Sequence, residues 1–358
     1  MCIDLLLKRR MLMFAYVGSR TTKERNATGK GISVYEVHGH DWKLIQVVGD
    51  LVNPSFQCFD ETGNFLYSVH GDFSEISAFK RDRKTGRLTY LHTASTEGKN
   101  PVHLSMDRCN KWIYVANLAT GTVSVIERRE DGTVGSCVNQ YVLPGKEKDY
   151  FSHPHQVLQD PSREYLLVSC QGREHGFGQV DVFKINHDGT LTPTDRVPSR
   201  EIAEPRHLTF AGPKGCCYGS NEKDYTVTAY HFDTKKGTLS PFQIVPTLPD
   251  TFTDDGWASG IVSAPGGRFV YVSNRKADLV SVFAADPATG KLSLVQWIPT
   301  KGKQPRFIGM VPDGSMLVAA NELGASIRIF DVDPQTGRLH DGEHVIKTHS
   351  PVCVTFAL

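Results

Sequence analysis

The two ends of this chain are the two halves of one repeated phrase. The phrase is a proline, an apolar strand, a turn, and a second apolar strand with the ending ΦYVxN, where Φ is an apolar residue. The final SPVCVTFAL matches only its first half, whereas MLMFAYVGS, beginning at Met11, matches its second half. Joining Leu358 to Met11 restores the full length of the phrase. Repeats whose ends complete one another predict a closed ring, because an open array has no need of complementary ends.

The other copies give the period and the strand content of the repeat. They begin about 46 to 53 residues apart, which is the period range of propeller blades. Each is followed by a stretch such as TVSVIERREDGTV, with alternating apolar residues, a glycine-containing turn and a further strand, so that one repeat contains four strands. The six complete copies start at Pro54, Pro101, Pro154, Pro205, Ala258 (without the proline) and Pro305.

The pattern therefore predicts an all-β fold, a seven-bladed β-propeller whose last blade is closed by the N- and C-terminal strands. Closure removes the exposed strand edges that an open sheet would present. An open sandwich array or a solenoid is the competing architecture. We expect residues 11–358 to form a single propeller domain and residues 1–10 to be an extension outside the repeat.

Charge and cysteine content narrow the classes of partner. The 358 residues include 40 Lys or Arg and 39 Asp or Glu, a net charge of +1, so no overall field favours nucleic acid or an anionic membrane. The opening MCIDLLLKRRMLMF falls far short of the roughly 20 apolar residues that a membrane span requires. The eight cysteines have no metal-ligand spacing. Vicinal Cys216 and Cys217 are typical of strand residues, and we expect free thiols in a reducing cytoplasm.

The propeller prediction places two residues of every phrase at one mouth of the ring. The two strands of the phrase form an antiparallel hairpin, so the first begins where the second ends. The residue after the proline and the residue after the phrase should therefore meet. The first position holds Ser55, Val102, His155, Arg206, Ser259, Arg306 and Val352, and the second holds Gly71, Leu118, Gln171, Glu222, Arg275, Glu322 and Arg20.

This inner ring combines one histidine, four arginines and two glutamates, with His103 and His207 one residue deeper. Charges at the end of a buried channel lose hydration and need a partner or a ligand. The planar guanidinium group of arginine binds carboxylate or phosphate oxygens well. The ring has four positive and two negative charges, and this excess of positive charge favours binding of an anion. The structural alternatives are ion pairs within a blade, Arg206 with Glu222 and Arg306 with Glu322, and a hydrogen-bonded core role for His155.

Several other polar residues are predicted to lie outside the binding set. His153, Lys223 and Asp224 are expected at the rim. The asparagines that end four of the phrases are expected to form turns and satisfy strand-end backbone groups rather than to bind a ligand. These asparagines are Asn117, Asn221, Asn274 and Asn321.

With these residues and motifs, the chain resembles the lactonase family of seven-bladed propellers, typified by the bacterial propeller-type 6-phosphogluconolactonase and the fungal carboxymuconate-lactonizing enzyme. The motifs that carry the resemblance are EPRHLTF, SNE, LPDTFTDDGWAS, SNR and QPR, in this order and at blade spacing. In that family the inner-ring histidine, the arginine of PRH and the glutamate of NE belong to the active site, and they match His155, Arg206 and Glu222. Family members often have NEL where this chain has Lys223 after Glu222.

The inner-ring charges predict hydrolysis of a sugar-derived lactone, and the resemblance implies 6-phosphogluconolactone, converted to 6-phosphogluconate, as the substrate; no cofactor or metal is expected. The resemblance does not separate family members that hydrolyse a lactone from members that close one. His155 or Glu222 would act as general base on water, and Arg206 would stabilise the oxyanion. Arg275 and Arg306 would hold the phosphate or carboxylate of the substrate. The remaining predicted binding residues are His103, His207, Arg20 and Glu322.

Three alternatives remain open at this point. The same arginines suit a cycloisomerase that closes a carboxylated muconate into a lactone. A non-catalytic interaction platform belongs to another class, but it has no need of charges in the channel. A calcium-dependent propeller would require several oxygens at one point, and the neighbouring arginines oppose a cation. The sequence does not predict the oligomeric state.

Overall fold

A computed structural model describes residues 12–212 and 215–358 of the chain. Within these ranges 29 strands form seven antiparallel sheets, and one short 3-10 helix spans Lys23–Arg25. The expectation for residues 1–10, and the junction at Met11, lie outside the described residues.

The strands follow one another blade by blade. In chain order they are β1 (Met13–Ser19), β2 (Ile32–His38) and β3 (Asp41–Val48); β4 (Pro54–Phe59), β5 (Phe65–His70), β6 (Glu75–Arg81) and β7 (Leu88–Ser95) in blade 1; β8 (Pro101–Met106), β9 (Trp112–Asn117), β10 (Thr122–Arg128) and β11 (Val134–Val142) in blade 2; β12 (Pro154–Gln159), β13 (Tyr165–Gln171), β14 (Gly178–Ile185) and β15 (Leu191–Pro198) in blade 3; β16 (Pro205–Phe210), β17 (Cys216–Asn221), β18 (Thr226–Asp233) and β19 (Thr238–Pro246) in blade 4; β20 (Ala258–Ser263), β21 (Phe269–Asn274), β22 (Leu279–Ala285) and β23 (Leu292–Pro299) in blade 5; β24 (Pro305–Met310), β25 (Met316–Asn321), β26 (Ser326–Val332), β27 (Leu339–His340) and β28 (Val345–Lys347) in blade 6; and β29 (Pro351–Ala357).

The last blade is built from both ends of the chain. Its strand order is β29-β1-β2-β3, with Phe14 opposite Ala357 and Ser19 opposite Pro351. The innermost strands of neighbouring blades contact one another around the whole ring, including β29 with β4. The predicted seven-bladed β-propeller and its closure by the terminal strands are confirmed.

The strands bury apolar side chains between the blades. The second strand of each phrase is buried almost throughout, because both of its faces are covered by neighbouring blades. In four of these strands a tyrosine in the middle also links one blade to the next. The Tyr271 hydroxyl donates to the Gly337 carbonyl at 3.0 Å, and the Tyr67 hydroxyl donates to the Gly132 carbonyl at 2.9 Å.

The vicinal cysteines and the phrase asparagines lie in strands. Cys216 and Cys217 lie in β17, and all seven cysteines of the described ranges are free thiols. The asparagine side chains donate to strand hydroxyls, as Asn221 does to Thr226 and Thr228, at 2.8 and 2.9 Å. No helix in the described ranges is long and apolar enough to cross a bilayer.

Candidate active site

The predicted inner-ring residues meet at one mouth of the propeller. Within each phrase the proline pairs with the last residue of the second strand, as Pro205 does with Asn221. The positions that follow them are therefore neighbours, and together they line a cavity of about 540 Å³. The predicted residues that line it are Arg20, Val102, Leu118, His155, Gln171, Glu222, Arg275, Arg306 and Glu322.

A β-bulge aims the post-proline side chain into this cavity. The register between the two strands shifts between Pro154 and Gln156, and again between Pro205 and His207. His155 and Arg206 are thus the extra residues of their strands, without a direct partner in the ladder. Bulges turn a side chain away from the regular alternation, and they are common beside active sites. The same shift occurs around Arg306.

Glu222 is the centre of the charge network. Its Oε2 lies 2.6 Å from Nη2 of Arg275, 3.1 Å from Nε of Arg206 and 2.9 Å from Nε2 of Gln171. Burial favours the neutral acid, but the charges of Arg275, Arg206 and Arg306 outweigh it and hold the pKa of Glu222 below its ordinary value. The predicted pair within the blade exists, and Arg275 of the next blade is a second partner.

Arg206 is buried beneath the cavity floor. It borders a small pocket of about 20 Å³ together with His155 and His207, and its Nη1 has no hydrogen-bond partner in the described chain. Burial and the nearby charge of Arg275 lower its pKa well below the ordinary arginine value. A buried donor without a partner favours an anionic ligand at this point.

The opposite side of the cavity holds a second, looser group of charges. Glu322 Oε2 accepts a hydrogen bond from Gln304 at 2.8 Å and lies 3.8 Å from Nη1 of Arg306. The Arg20 guanidinium contacts Asp72 at 3.0 Å. Burial and, to a smaller extent, the charge of Arg306 lower the pKa of Arg20 to about 10. Arg306 is the more exposed of these arginines, which favours it as a contact for an entering ligand.

The three predicted histidines lie close together in the channel. The ring centroids of His155 and His207 are 5.1 Å apart, and those of His103 and His207 are 5.7 Å apart. The cavity proper reaches only His155, while His103 lies deeper, with its ring 4.0 Å from that of Phe56. Burial and the charge of Arg206 lower the pKa of His155 well below its ordinary value and that of His103 to about 3. Both imidazoles are therefore neutral, and Nδ1 of His155 has no partner among the described residues.

Comparison with known proteins assigns the whole chain to a family. The family model "Lactonase, 7-bladed beta-propeller" matches residues 14–356. The chain belongs to the lactonase family of seven-bladed β-propellers.

Relatives of this lactonase-family chain cover almost its whole length. A 6-phosphogluconolactonase of Bacillus subtilis is 29% identical over 351 residues, which are 96% of this chain and 99% of that protein. A 6-phosphogluconolactonase of Formosa agariphila is 28% identical and covers 90% of this chain and 94% of its own length. Among solved structures, the periplasmic gluconolactonase of Pseudomonas aeruginosa is 25% identical, has a TM-score of 0.86 and covers 97% of this chain and 99% of its own.

A third ring of residues that line the cavity of this lactonase-family chain was not predicted from the sequence. The residue that precedes each phrase has a positive φ, so that its side chain leaves the strand direction and several of these side chains reach the cavity. The signal was available in the sequence as the residue before the first residue of each phrase, which is a proline in every phrase except the one that starts at Ala258. The cavity-lining members are Asn100, Glu204, Trp257 and Gln304.

Trp257 illustrates how these residues shape the site. Its indole ring lies under three cations, 5.0 Å from the Arg275 guanidinium carbon, 4.5 Å from Lys223 Nζ and 4.4 Å from Lys276 Nζ. The ring is thus a second contact of Arg275, in addition to Glu222. Lys223, expected at the rim, lines the cavity.

The acidic residues of the site do not form a metal-ligand set. Across residues 12–212 and 215–358, no three His, Cys, Asp or Glu side chains come together as a group that holds a metal ion. Glu222 and Glu322 face arginines, and this arrangement favours an anion over a cation as the ligand.

Proposed function

We propose that this chain hydrolyses 6-phosphogluconolactone to 6-phosphogluconate in the cavity at the mouth of the propeller. The observation that carries the proposal is the buried Nη1 of Arg206, which has no partner and lies in the same pocket as a neutral His155. A donor without a partner beside a neutral base is the pair that ester hydrolysis by water requires. The names of the relatives from Bacillus and Formosa support the phosphorylated sugar lactone as the substrate.

The proposed mechanism gives each group of charges one role. His155 takes a proton from a water molecule as it attacks the lactone carbonyl, and Arg206 stabilises the negative charge that develops on the carbonyl oxygen. Arg306 and Arg20, on the opposite side of the cavity, hold the phosphate. Glu222 holds Arg206 and Arg275 in place. With two arginine ion pairs and the Gln171 hydrogen bond on its Oε2 and a lowered pKa, Glu222 is the weaker candidate for the base.

The first test is turnover of freshly prepared 6-phosphogluconolactone, measured against spontaneous hydrolysis at the same pH. We expect strong acceleration by the wild type and a loss of about a hundredfold or more in kcat for Arg206→Ala, the magnitude typical of removing one oxyanion donor. Absence of acceleration by the wild type would reject the substrate.

A pair of histidine variants tests the base. His155→Ala should lower kcat by about 10²- to 10⁴-fold, the usual contribution of general-base catalysis. His153→Ala is the matched control, because the Nδ1 of His153 donates to the Leu118 carbonyl at 3.0 Å rather than serving the proposed reaction. Equal kcat values for His155→Ala and His153→Ala would contradict the role of His155 as the general base.

Turnover in oxygen-labelled water separates hydrolysis from the cycloisomerase alternative. Label in the new carboxylate is expected, because a water oxygen enters the product, whereas lactone closure incorporates none.

We also propose the cytoplasm as the compartment. The free thiols of the described chain support it, although the similar Pseudomonas protein is named as periplasmic.

A further inference from the structure

Glu204 is a cavity carboxyl that the proposed mechanism does not use. Four glutamates line the cavity, and two of them, Glu222 and Glu322, contact arginine and glutamine side chains. Glu24 is exposed to solvent. Glu204 is half-buried, and no cation of the described chain lies within ion-pair distance of its carboxylate. A half-buried charge without a protein partner in a ligand cavity acts on the ligand.

The backbone places Glu204 close to the charged residues of the proposed site. Glu204 has a φ of 55° and precedes Pro205, and its carbonyl oxygen accepts the N–H of Glu222 at 2.9 Å. It is therefore next to Glu222 at the mouth of blade 4, two residues before Arg206. Burial raises the pKa of Glu204 and the charge of Glu222 raises it further, against the opposing charges of Lys223, Arg173 and Arg275.

The reaction creates a negative charge at this end of the cavity. Water adds to the carbonyl carbon, the bond from this carbon to the ring oxygen breaks, and the ring oxygen takes a proton. The new acid then releases one proton to solvent and remains as a carboxylate. The lactone is therefore neutral at the reacting carbon, whereas the product is anionic there.

We propose that Glu204 is a specificity-determining residue that repels the ring-opened carboxylate and so favours binding of the neutral lactone over binding of the product. The inference rests on the proposed function. Repulsion lowers affinity only for the ligand that has a charge at that end, so it promotes product release without weakening the hold on the phosphate.

The test compares two ligands that differ only at the reacting carbon. 6-Phosphogluconate has a carboxylate there, and glucitol 6-phosphate has a neutral CH₂OH group, while the phosphate and the hydroxyl chain are the same. We expect Glu204→Gln to tighten binding of 6-phosphogluconate relative to glucitol 6-phosphate by about five- to twentyfold, the size of one like-charge repulsion in a half-buried site. Isothermal titration calorimetry measures both dissociation constants.

The pH dependence of the same ratio tests the idea in the unmodified protein. Glu204 loses its charge as the pH falls through its raised pKa. The relative affinity of the wild type for 6-phosphogluconate should therefore rise as the pH is lowered from neutral toward about pH 5. Glucitol 6-phosphate corrects for titration of the phosphate and of the other charges that face Glu204, which are Glu222, Lys223, Arg173 and Arg275. The Glu204→Gln protein should lack this rise.

Glu24→Gln is the matched control, because it removes a negative charge from an exposed cavity glutamate. It should leave the ratio of the two affinities unchanged. A wild type that hydrolyses the lactone, combined with an unchanged ratio in Glu204→Gln and a flat pH dependence, would overturn the role of Glu204. A wild type that neither hydrolyses the lactone nor binds either phosphate would instead reject the proposed function.

Discussion

Glu222 shows at the scale of a single residue how a propeller holds charges in its centre. Its carboxylate joins Arg206 of its own blade to Arg275 of the next, and all three side chains are almost fully buried. A buried ion pair adds little net stability compared with apolar packing, but the loss of one partner leaves an uncompensated charge. Loss of the Glu222 carboxylate would leave the guanidinium groups of Arg206 and Arg275 buried without this counter-ion.

Glu222→Gln should therefore lower the free energy of unfolding by about 3 kcal/mol at neutral pH, the lower end of the range for breaking a buried pair. Urea denaturation followed by circular dichroism measures the change. Glu322→Gln is a matched control, because the closest Arg306 contact of Glu322 is 3.8 Å rather than 2.6 Å. We expect a smaller loss there, and equal losses would contradict the role of Glu222 as the centre of the network.

The lowered pKa of Glu222 also fixes the sign of a pH effect. A carboxyl with a lower pKa in the folded state stabilises the fold above its unfolded pKa, and this contribution is lost as the pH falls through the folded value. The stability difference between wild type and Glu222→Gln should thus shrink on acidification below about pH 4.5.

At the scale of the element, four of the seven junctions between blades in the described chain share one contact. A glycine in the outer turn of one blade lies against the second strand of the preceding blade, where a tyrosine hydroxyl donates to its carbonyl. At the junction of blades 5 and 6, Gly337 has a φ of 71°, and an added Cβ would collide with the ring of Phe269.

Gly337→Ala should lower the free energy of unfolding by about 2 to 4 kcal/mol, because strain at positive φ and a clash inside a packed interface act together. Gly39→Ala isolates the first of these effects. Gly39 has a φ of 63°, and its Cβ position has no other atom within 4 Å. Differential scanning calorimetry should show the larger fall in Tm for Gly337→Ala, and similar falls would mean that the contact between the blades adds nothing.

For the whole molecule, the decisive contact is the pairing of the two terminal strands. Without β29, the last blade would lose the strand that faces β4 and β24, and the ring of inner strands would be interrupted. The exposed edge of β1 would then be free to pair with another chain.

Deleting residues 351–358 should abolish the single cooperative melting transition of the full chain and produce aggregates. Thermal unfolding and size-exclusion chromatography would detect both effects. The matched control is a circular permutant that joins Leu358 to Leu12 by a short Gly-Ser linker and opens the chain between β3 and β4. This protein keeps every strand of the blade, so it should melt close to the wild type. A truncated chain that melts like the full chain would show that closure is not required.

The amino-acid sequence by itself determined the number of blades, the closure and the ring positions that meet at the mouth. These follow from a fixed repeat length and from hairpin geometry, which are local properties of the chain. His155, Glu222, Arg275 and Arg306 could be found in this way, since each occupies an equivalent place in its phrase.

Only the tertiary structure decided which of these residues contact one another and which of them reach the cavity. Glu222 and Arg275 belong to neighbouring blades, so the distance between them depends on how these two blades pack. The bulge at Arg206 and the positive φ of Glu204 and Trp257 arise where the chain turns into the channel. A positive φ is not the local preference of a residue other than glycine, and for Glu204 the following proline disfavours it further. Burial then fixed which groups are charged, because it depends on the closed ring and on no single segment of the chain.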